Sequence, residues 1–208
     1  MSYIEFFFRY FHVLSGIVWI GMLYYFNFVQ TEYFKEAEAS AKSDAMAKLA
    51  PRALWWFRWG AMLTFLTGAY LFHKIGALGT TMPAIWVGAL AGTFMFLNVW
   101  LVIWPNQQIV LGMKAGDGPA AAAKAGLASR TTTLFSGPML LGMLGNKYLA
   151  VPIAEGGSAT GLYVALGTIV ALEINALFGG MGPMKSVMGV IHSSLALMLA
   201  ILGILLYL

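Results

Sequence analysis

The sequence predicts an all-α fold: a polytopic integral membrane helix bundle with about six transmembrane helices. Of its 208 residues, 60% are hydrophobic and only 10% are charged, and the mean hydropathy is +0.79. Soluble domains carry about 25% charged residues, so lipid is the expected surrounding for most of this chain. Six stretches reach the length of about 20 mostly apolar residues that a helix needs to cross a bilayer.

We assign the whole chain, residues 1–208, to a single transmembrane domain. The predicted spans are 4–28, 54–74, 83–104, 131–150, 159–179 and 186–207. The first lacks a basic leading region and a cleavage site, so it is expected to be retained as a span. The fourth contains Pro138 and several glycines, and we expect it to be kinked or partly re-entrant. Between spans, Ala120–Ala123 after Pro119 predicts a short surface helix.

The distribution of basic residues predicts the orientation. Nine Lys and Arg residues fall on the side that holds the connections after spans one, three and five, against three on the other side. Basic residues mark the cytoplasmic side of a membrane protein. The sequence therefore predicts a multi-pass protein of the bacterial inner (cytoplasmic) membrane, with both termini in the periplasm.

The composition excludes several kinds of function. There is no cysteine, so disulfides, thiolate metal sites and cysteine nucleophiles are excluded. The sequence has no phosphate-binding glycine loop and no His-Glu-x-x-His motif. We expect the bilayer, and no nucleic acid, to be the partner of the basic residues. We also expect no metal other than haem iron.

His12 opens a pattern that has two interpretations. His12, Gly16 and Trp19 fall on one helical face, where glycine allows a flat cofactor or another backbone to come close. A histidine beside such a groove is typical of haem sites, so haem b is one expectation, with His12, His73 and His192 as the available ligands. The second interpretation is a face that packs against another helix, with a hydrogen-bonded histidine. His73 is predicted to lie shallower than His12, which makes these two an awkward axial pair.

Three further residues are predicted to carry chemistry. Glu173 lies inside the fifth span, and an ionisable group at that depth indicates function. At ~1.5 Å per residue its depth matches that of His192 in the sixth span. We therefore expect a Glu173–His192 interaction, as a proton relay, a ligand orienter or a structural pair. Arg58 either extends its side chain to the inner interface or meets an anionic group.

Five stretches carry a resemblance to a known family. They run from His12 to Gly21 with Tyr24 to Gln30, from Leu54 to Ala61, from Ile103 to Gln108, from Ser129 to Met139, and from Glu173 to Leu177. Together, and in this order, they resemble the N-terminal membrane domain of bacterial PuuD-type urate hydroxylases.

The resemblance implies a membrane oxidoreductase linked to purine oxidation and electron transfer. In that family the membrane part is commonly followed by a c-type cytochrome domain. Here the sequence ends at Leu208, after the last predicted span, and has no Cys-x-x-Cys-His. We therefore expect electrons to pass to a separate cytochrome c. Catalysis would involve Glu173, His192 and Arg58.

Two other functions remain open at this stage. The small size and glycine-rich faces would also suit an accessory or scaffold subunit of a larger membrane complex, or a homo-oligomer. A small-solute transporter is less supported, because we find no internal repeat of the kind that such proteins carry.

Overall fold

Six long helices form the bundle in the computed structural model, which describes residues 2–76, 83–148 and 159–208. They are α1 (Tyr3–Glu36), α2 (Ala50–Lys74), α3 (Pro83–Val110), α4 (Gly118–Tyr148), α5 (Thr160–Phe178) and α6 (Val187–Tyr207). Two short helical segments, Ala39–Asp44 and Ala45–Leu49, lead into α2. A 3-10 turn, Gly182–Lys185, precedes α6. The described residues contain no strand, so the all-α prediction is confirmed.

The helix ends follow from capping chemistry. The Ser2 hydroxyl accepts from the Glu5 backbone N–H, and the Glu5 carboxylate accepts from the Ser2 N–H, which together satisfy two free donors of the first turn. Asp117 caps α4 through a 3.0 Å bond from the Ala120 N–H. The predicted surface helix at Ala120–Ala123 is wrong, because these residues form the first turns of α4 itself.

Four helices are long and apolar enough to cross a membrane: α1, α3, α5 and α6. Their outward faces carry large apolar side chains such as Leu101 and Leu199, as expected of a surface that contacts lipid. Crossing by α2 and α4 stays a prediction. Among the described residues α4 is one continuous helix to Tyr148, which does not fit a re-entrant segment. The predicted end of that span, residues 149 and 150, lies outside the described part of the chain.

Helix α4 is the centre of the bundle. It contacts α1, α3, α5 and α6, while α2 packs mainly along α1. Each of the six helices contributes one large, fully buried side chain to the core: Leu23, Phe57, Met95, Phe135, Ile169 and Ile201. The closest approach is between α3 and α4, where a Cβ on Gly142 would collide with the Gly88 nitrogen. Glycine at this position lets the two backbones meet.

Two of the long helices contain a π-helical turn, and each turn starts close to a buried asparagine. The turns are Tyr25–Gln30 in α1, with Asn27, and Asn98–Ile103 in α3. The second turn ends two residues before Pro105, which has no N–H to donate to the Leu101 carbonyl within that turn. Single π turns of this kind are frequent at functional sites.

Pro138 interrupts the hydrogen bonding of α4, and α6 supplies the missing donor. Because proline has no N–H, the Leu134 carbonyl loses its usual partner within the helix. The Ser194 hydroxyl of α6 donates to that carbonyl at 3.0 Å. The Gly137 N–H in turn donates to the Ser194 oxygen at 3.2 Å, so this one side chain joins α6 to α4 by two hydrogen bonds.

Replacing Ser194 with alanine should therefore destabilise the bundle. The Leu134 carbonyl would be buried without a partner, which costs about 1–3 kcal/mol of unfolding free energy. Unfolding of the detergent-solubilised protein in mixed micelles measures the change. Ser193→Ala is the matched control, since Ser193 is turned about 100° around the helix from Ser194. Equal loss in both variants would contradict the role of the Ser194 hydroxyl.

Candidate functional site

A cavity of about 360 Å³ opens at the end of the bundle where α1 ends and α4 begins. Helices α1, α2, α3 and α4 line it, together with the connection from α5 to α6. Six of its polar side chains are Asn27, Gln30, Gln107, Ser129, Arg130 and Lys185. Its volume lies in the range of small-molecule sites, about 300–1,000 Å³.

Asn27 fixes the wall between α1 and α4. Its Nδ2 donates to the Leu23 carbonyl at 2.9 Å and to the Ser129 hydroxyl at 2.8 Å. The side chain is only 4% exposed. With both donors used, Asn27 is held rigidly, and the hydroxyl of Ser129 is oriented beside the cavity.

Arg130 brings a permanent positive charge to a largely buried position. It is 6% exposed, and its Nη1 donates to the Ser186 carbonyl at 3.4 Å, just before α6. A guanidinium stays charged in proteins and can donate two parallel hydrogen bonds to an anion. Glu32, the carboxylate that interacts with it electrostatically, is itself bridged to Lys35 at 2.8 Å. Arg130 and Lys185 therefore give the cavity a positive character.

Gln30 leaves a buried acceptor in the cavity without a partner. Its Oε1 makes no hydrogen bond to any described residue. Buried polar atoms are almost always paired, so an unpaired acceptor in a cavity indicates a place for a donor from a ligand. The Gln107 side chain offers a second amide nearby, with donors and an acceptor on one group.

The remaining walls of the cavity are apolar and partly aromatic. Phe26 and Phe57 meet edge to face, with ring centroids 5.6 Å apart, and Leu54 and Ile103 lie beside them. Flat apolar walls with a few polar groups at the rim suit a planar heterocycle, because the ring faces pack on the aromatic surfaces and the polar edges reach the amides.

The structure places the predicted residue Arg58 outside the lining of this cavity. Its guanidinium lies over the Trp104 ring, 3.5 Å from the ring centroid, in a cation–π contact between α2 and α3. Its Nε and Nη1 are buried and have no hydrogen-bond partner among the described residues. Arg58 thus joins two helices at the level of the cavity without lining it.

The expected pair of Glu173 with His192 does not form. Glu173 is buried and accepts from Nδ2 of Asn98 at 3.0 Å, whereas His192 is exposed. The expectation of this pair rested on depth along the helices and did not include the rotation of α6 about its axis. His192 lies two residues, about 200°, from both Val190 and Ser194, which form the buried face of α6.

His12 makes contacts that fit helix packing and would also suit a single cofactor ligand. Its Nδ1 lies 2.9 Å from the Thr64 carbonyl and 3.2 Å from the Thr67 hydroxyl, and its ring rests against Gly68 of α2. A bond from Nδ1–H to a backbone carbonyl fixes the tautomer and leaves Nε2 as the ligand atom. His73 and His192 are exposed, so no second histidine faces His12.

The residues of the cavity were not predicted as a site, although the sequence held a signal for them. Four of the five stretches that carry the family resemblance line it: through Asn27 and Gln30, through Leu54 and Phe57, through Gln107, and through Ser129 with Arg130. Ionisable residues inside the predicted spans indicated a different site, whereas these four stretches lie at helix ends on one side of the bundle. Among the described residues, no group of three or more His, Asp or Glu could hold a metal ion.

Comparison with known proteins agrees with the resemblance. The family model described as Urate oxidase N-terminal matches residues 78–205, which covers more than half of the chain. Three of the five resembling stretches lie inside this match, and the first two precede it. No curated protein and no solved structure matches the chain. The protein belongs to the urate oxidase N-terminal family.

Proposed function

We propose that this protein is a membrane component of purine oxidation of the urate hydroxylase type, and that the cavity binds the purine as an anion. The observation that carries the proposal is the meeting of a buried guanidinium, an unpaired amide oxygen and two aromatic walls in one cavity. The stretches that resemble the urate hydroxylases supply all of these groups. The family to which the chain belongs supports the same substrate class.

The chemistry of urate matches that of the cavity. Urate is planar, carries a negative charge at neutral pH, and alternates N–H donors and carbonyl acceptors around its rim. The Arg130 guanidinium would bind the anionic edge, because charged and bidentate hydrogen bonds are the strong ones. A ring N–H would donate to the unpaired Gln30 Oε1. Phe26 and Phe57 would contact the ring.

The oxidation itself needs an electron acceptor. Addition of the oxygen of water to urate releases two electrons and two protons. We propose that the two electrons leave, one at a time, to two molecules of a separate cytochrome c. The residues of this chain bind and orient the purine and keep bulk water from its ring faces.

Helix ends and charges support a location in the bacterial inner membrane. The cavity lies at the end of the bundle that carries Arg130, Lys185 and the basic segment before α2. Basic residues mark the cytoplasmic side, so the cavity would open to the cytoplasm and both termini would be periplasmic. This orientation requires α2 and α4 to cross the membrane with the other four helices.

The purine site is tested by removing the charge of Arg130. Arg130→Gln should weaken binding of urate roughly tenfold to hundredfold, since a hydrogen bond to a charged group contributes about 1.5–3 kcal/mol and ~1.4 kcal/mol is tenfold. Equilibrium binding of radiolabelled urate to the detergent-solubilised protein measures it.

Lys124→Gln is the matched control for this experiment. It removes the same charge from the same helix, but Lys124 is exposed and does not line the cavity. We expect its affinity for urate to equal that of the unmodified protein. Loss of affinity in both variants, or no urate binding by the unmodified protein, would argue against the purine site. Absence of binding would favour the accessory-subunit alternative.

We also propose that the protein binds haem b, with His12 as its ligand. Haem would supply one-electron transfer, and His12 is the half-buried imidazole whose Nδ1 is anchored by a backbone carbonyl. A dithionite-reduced minus oxidised optical spectrum of the purified protein should then show haem bands. These bands should be lost in His12→Ala and kept in His73→Ala. A flat spectrum from haem-replete cells would remove haem b from the proposal.

A further inference from the structure

A buried carboxyl and a buried amide meet inside the bundle, away from the cavity lining. Glu173 of α5 is 7% exposed and Asn98 of α3 is 1% exposed. The Asn98 Nδ2 donates to the Glu173 Oε2 at 3.0 Å. Asn98 is also the first residue of the π-helical turn in α3. The pair therefore links two apolar helices through their polar side chains.

The amide of Asn98 lacks one partner. Its Oδ1 is buried and makes no hydrogen bond to any described residue. An ionised carboxylate has only acceptors, so it cannot serve a second acceptor beside it. A carboxylic acid has one O–H donor in addition to its acceptor. The proton that Glu173 would carry is thus the donor that the Asn98 Oδ1 lacks.

No cation faces Glu173 from the helices that pack against α5. Within residues 83–110, α3 has no charged side chain and no histidine. Helix α4 has Lys124 and Lys147, which are exposed, and Arg130, which donates to a carbonyl just before α6. On α6 the titratable side chains are His192 and Tyr207, which are also exposed. An unpaired carboxylate in an apolar interior is costly, and protonation removes that cost.

We propose that Glu173 and Asn98 form a proton-binding site inside the membrane bundle. Glu173 carries a proton on Oε1, donates it in a hydrogen bond to the Asn98 Oδ1, and accepts from Asn98 Nδ2 through Oε2. The two bonds close a ring between carboxylic acid and amide. When the proton leaves, the carboxylate keeps the Nδ2 bond and loses the other.

The site lies close enough to the cavity to exchange protons with it. Asn98 is five residues from Ile103 along α3, and Ile103 lines the cavity. The π-helical turn fills the interval between them. Acceptance of a proton released by purine oxidation rests on the proposed function. Protonation of Glu173 at neutral pH is independent of the proposed function.

Infrared spectroscopy of the full chain in lipid nanodiscs tests the proposal directly. At neutral pH the unmodified protein should show the C=O stretch of a protonated carboxyl, separate from the amide and carboxylate bands. Glu173→Gln should abolish that band, and Glu36→Gln, a matched change at an exposed glutamate, should keep it. Asn98→Leu should move it to higher frequency, because the carbonyl loses the Nδ2 donor. Absence of the band, or its persistence in Glu173→Gln, would overturn the proposal.

Thermal unfolding distinguishes whether Glu173 binds a proton or a metal cation. A glutamine at residue 173 can donate its amide N–H to the Asn98 Oδ1 and accept from Nδ2, so Glu173→Gln should unfold at the same temperature as the unmodified protein. An unfolding temperature that rises with sodium in the unmodified protein, and not in this variant, would overturn the proposal in favour of a cation. Urate binding, measured on Arg130 variants, tests the proposed function independently of the infrared band and the unfolding temperature.

Discussion

The contact between Gly88 and Gly142 sets the register on which both sites depend. At this point α3 and α4 approach until backbone meets backbone, and a Cβ on Gly142 would collide with the Gly88 nitrogen. The two helices run in opposite directions with the same rise per residue, about 1.5 Å. Moving ten residues along each from this contact brings Asn98 level with Thr132. A few residues further, α3 and α4 separate at the cavity, where Gln107 faces the start of α4. A different register would place the polar groups of these helices against apolar neighbours.

The polar side chains of α4 hold the bundle together from its centre. Ser136 bonds the Tyr24 hydroxyl at 2.8 Å, and Ser129 accepts from Asn27, so α1 is attached at two levels. Ser194 attaches α6 at the Pro138 gap. In an apolar surrounding each of these groups needs a partner within the protein, and α4 supplies partners to its neighbours. This accounts for the serine and threonine side chains of α4: their polarity is directed at other helices and away from lipid.

Sequence patterns predicted the helices well and the sites poorly, for a physical reason. Apolar length predicts α5 and α6 to within a residue, whereas α1 and α4 extend beyond the predicted spans 4–28 and 131–150 by further helical turns. Depth also follows from the rise per residue, so Glu173 was correctly placed inside the bundle. Rotation about the helix axis follows neither from the apolar length nor from the rise per residue. It decides that Glu173 meets Asn98 and that His192 is exposed. Those outcomes depend on the packing of α4 against all its neighbours, which no single span determines.

The positions of the cavity and of the acid pair suggest how one bundle can handle a charged substrate and protons separately. The anion needs donors, water access and fixed positive charge, and these are available where the helices leave the membrane, at Arg130 and Lys185. A proton needs only a carboxylate whose negative charge is unfavourable while no proton is bound. The apolar interior makes the charge of Glu173 unfavourable in this way. Placed inside the cavity, the carboxylate would pair with Arg130 and neutralise the positive charge that we propose binds the purine. Deeper in the bundle and held by Asn98, it lies near the proposed purine site without that pairing.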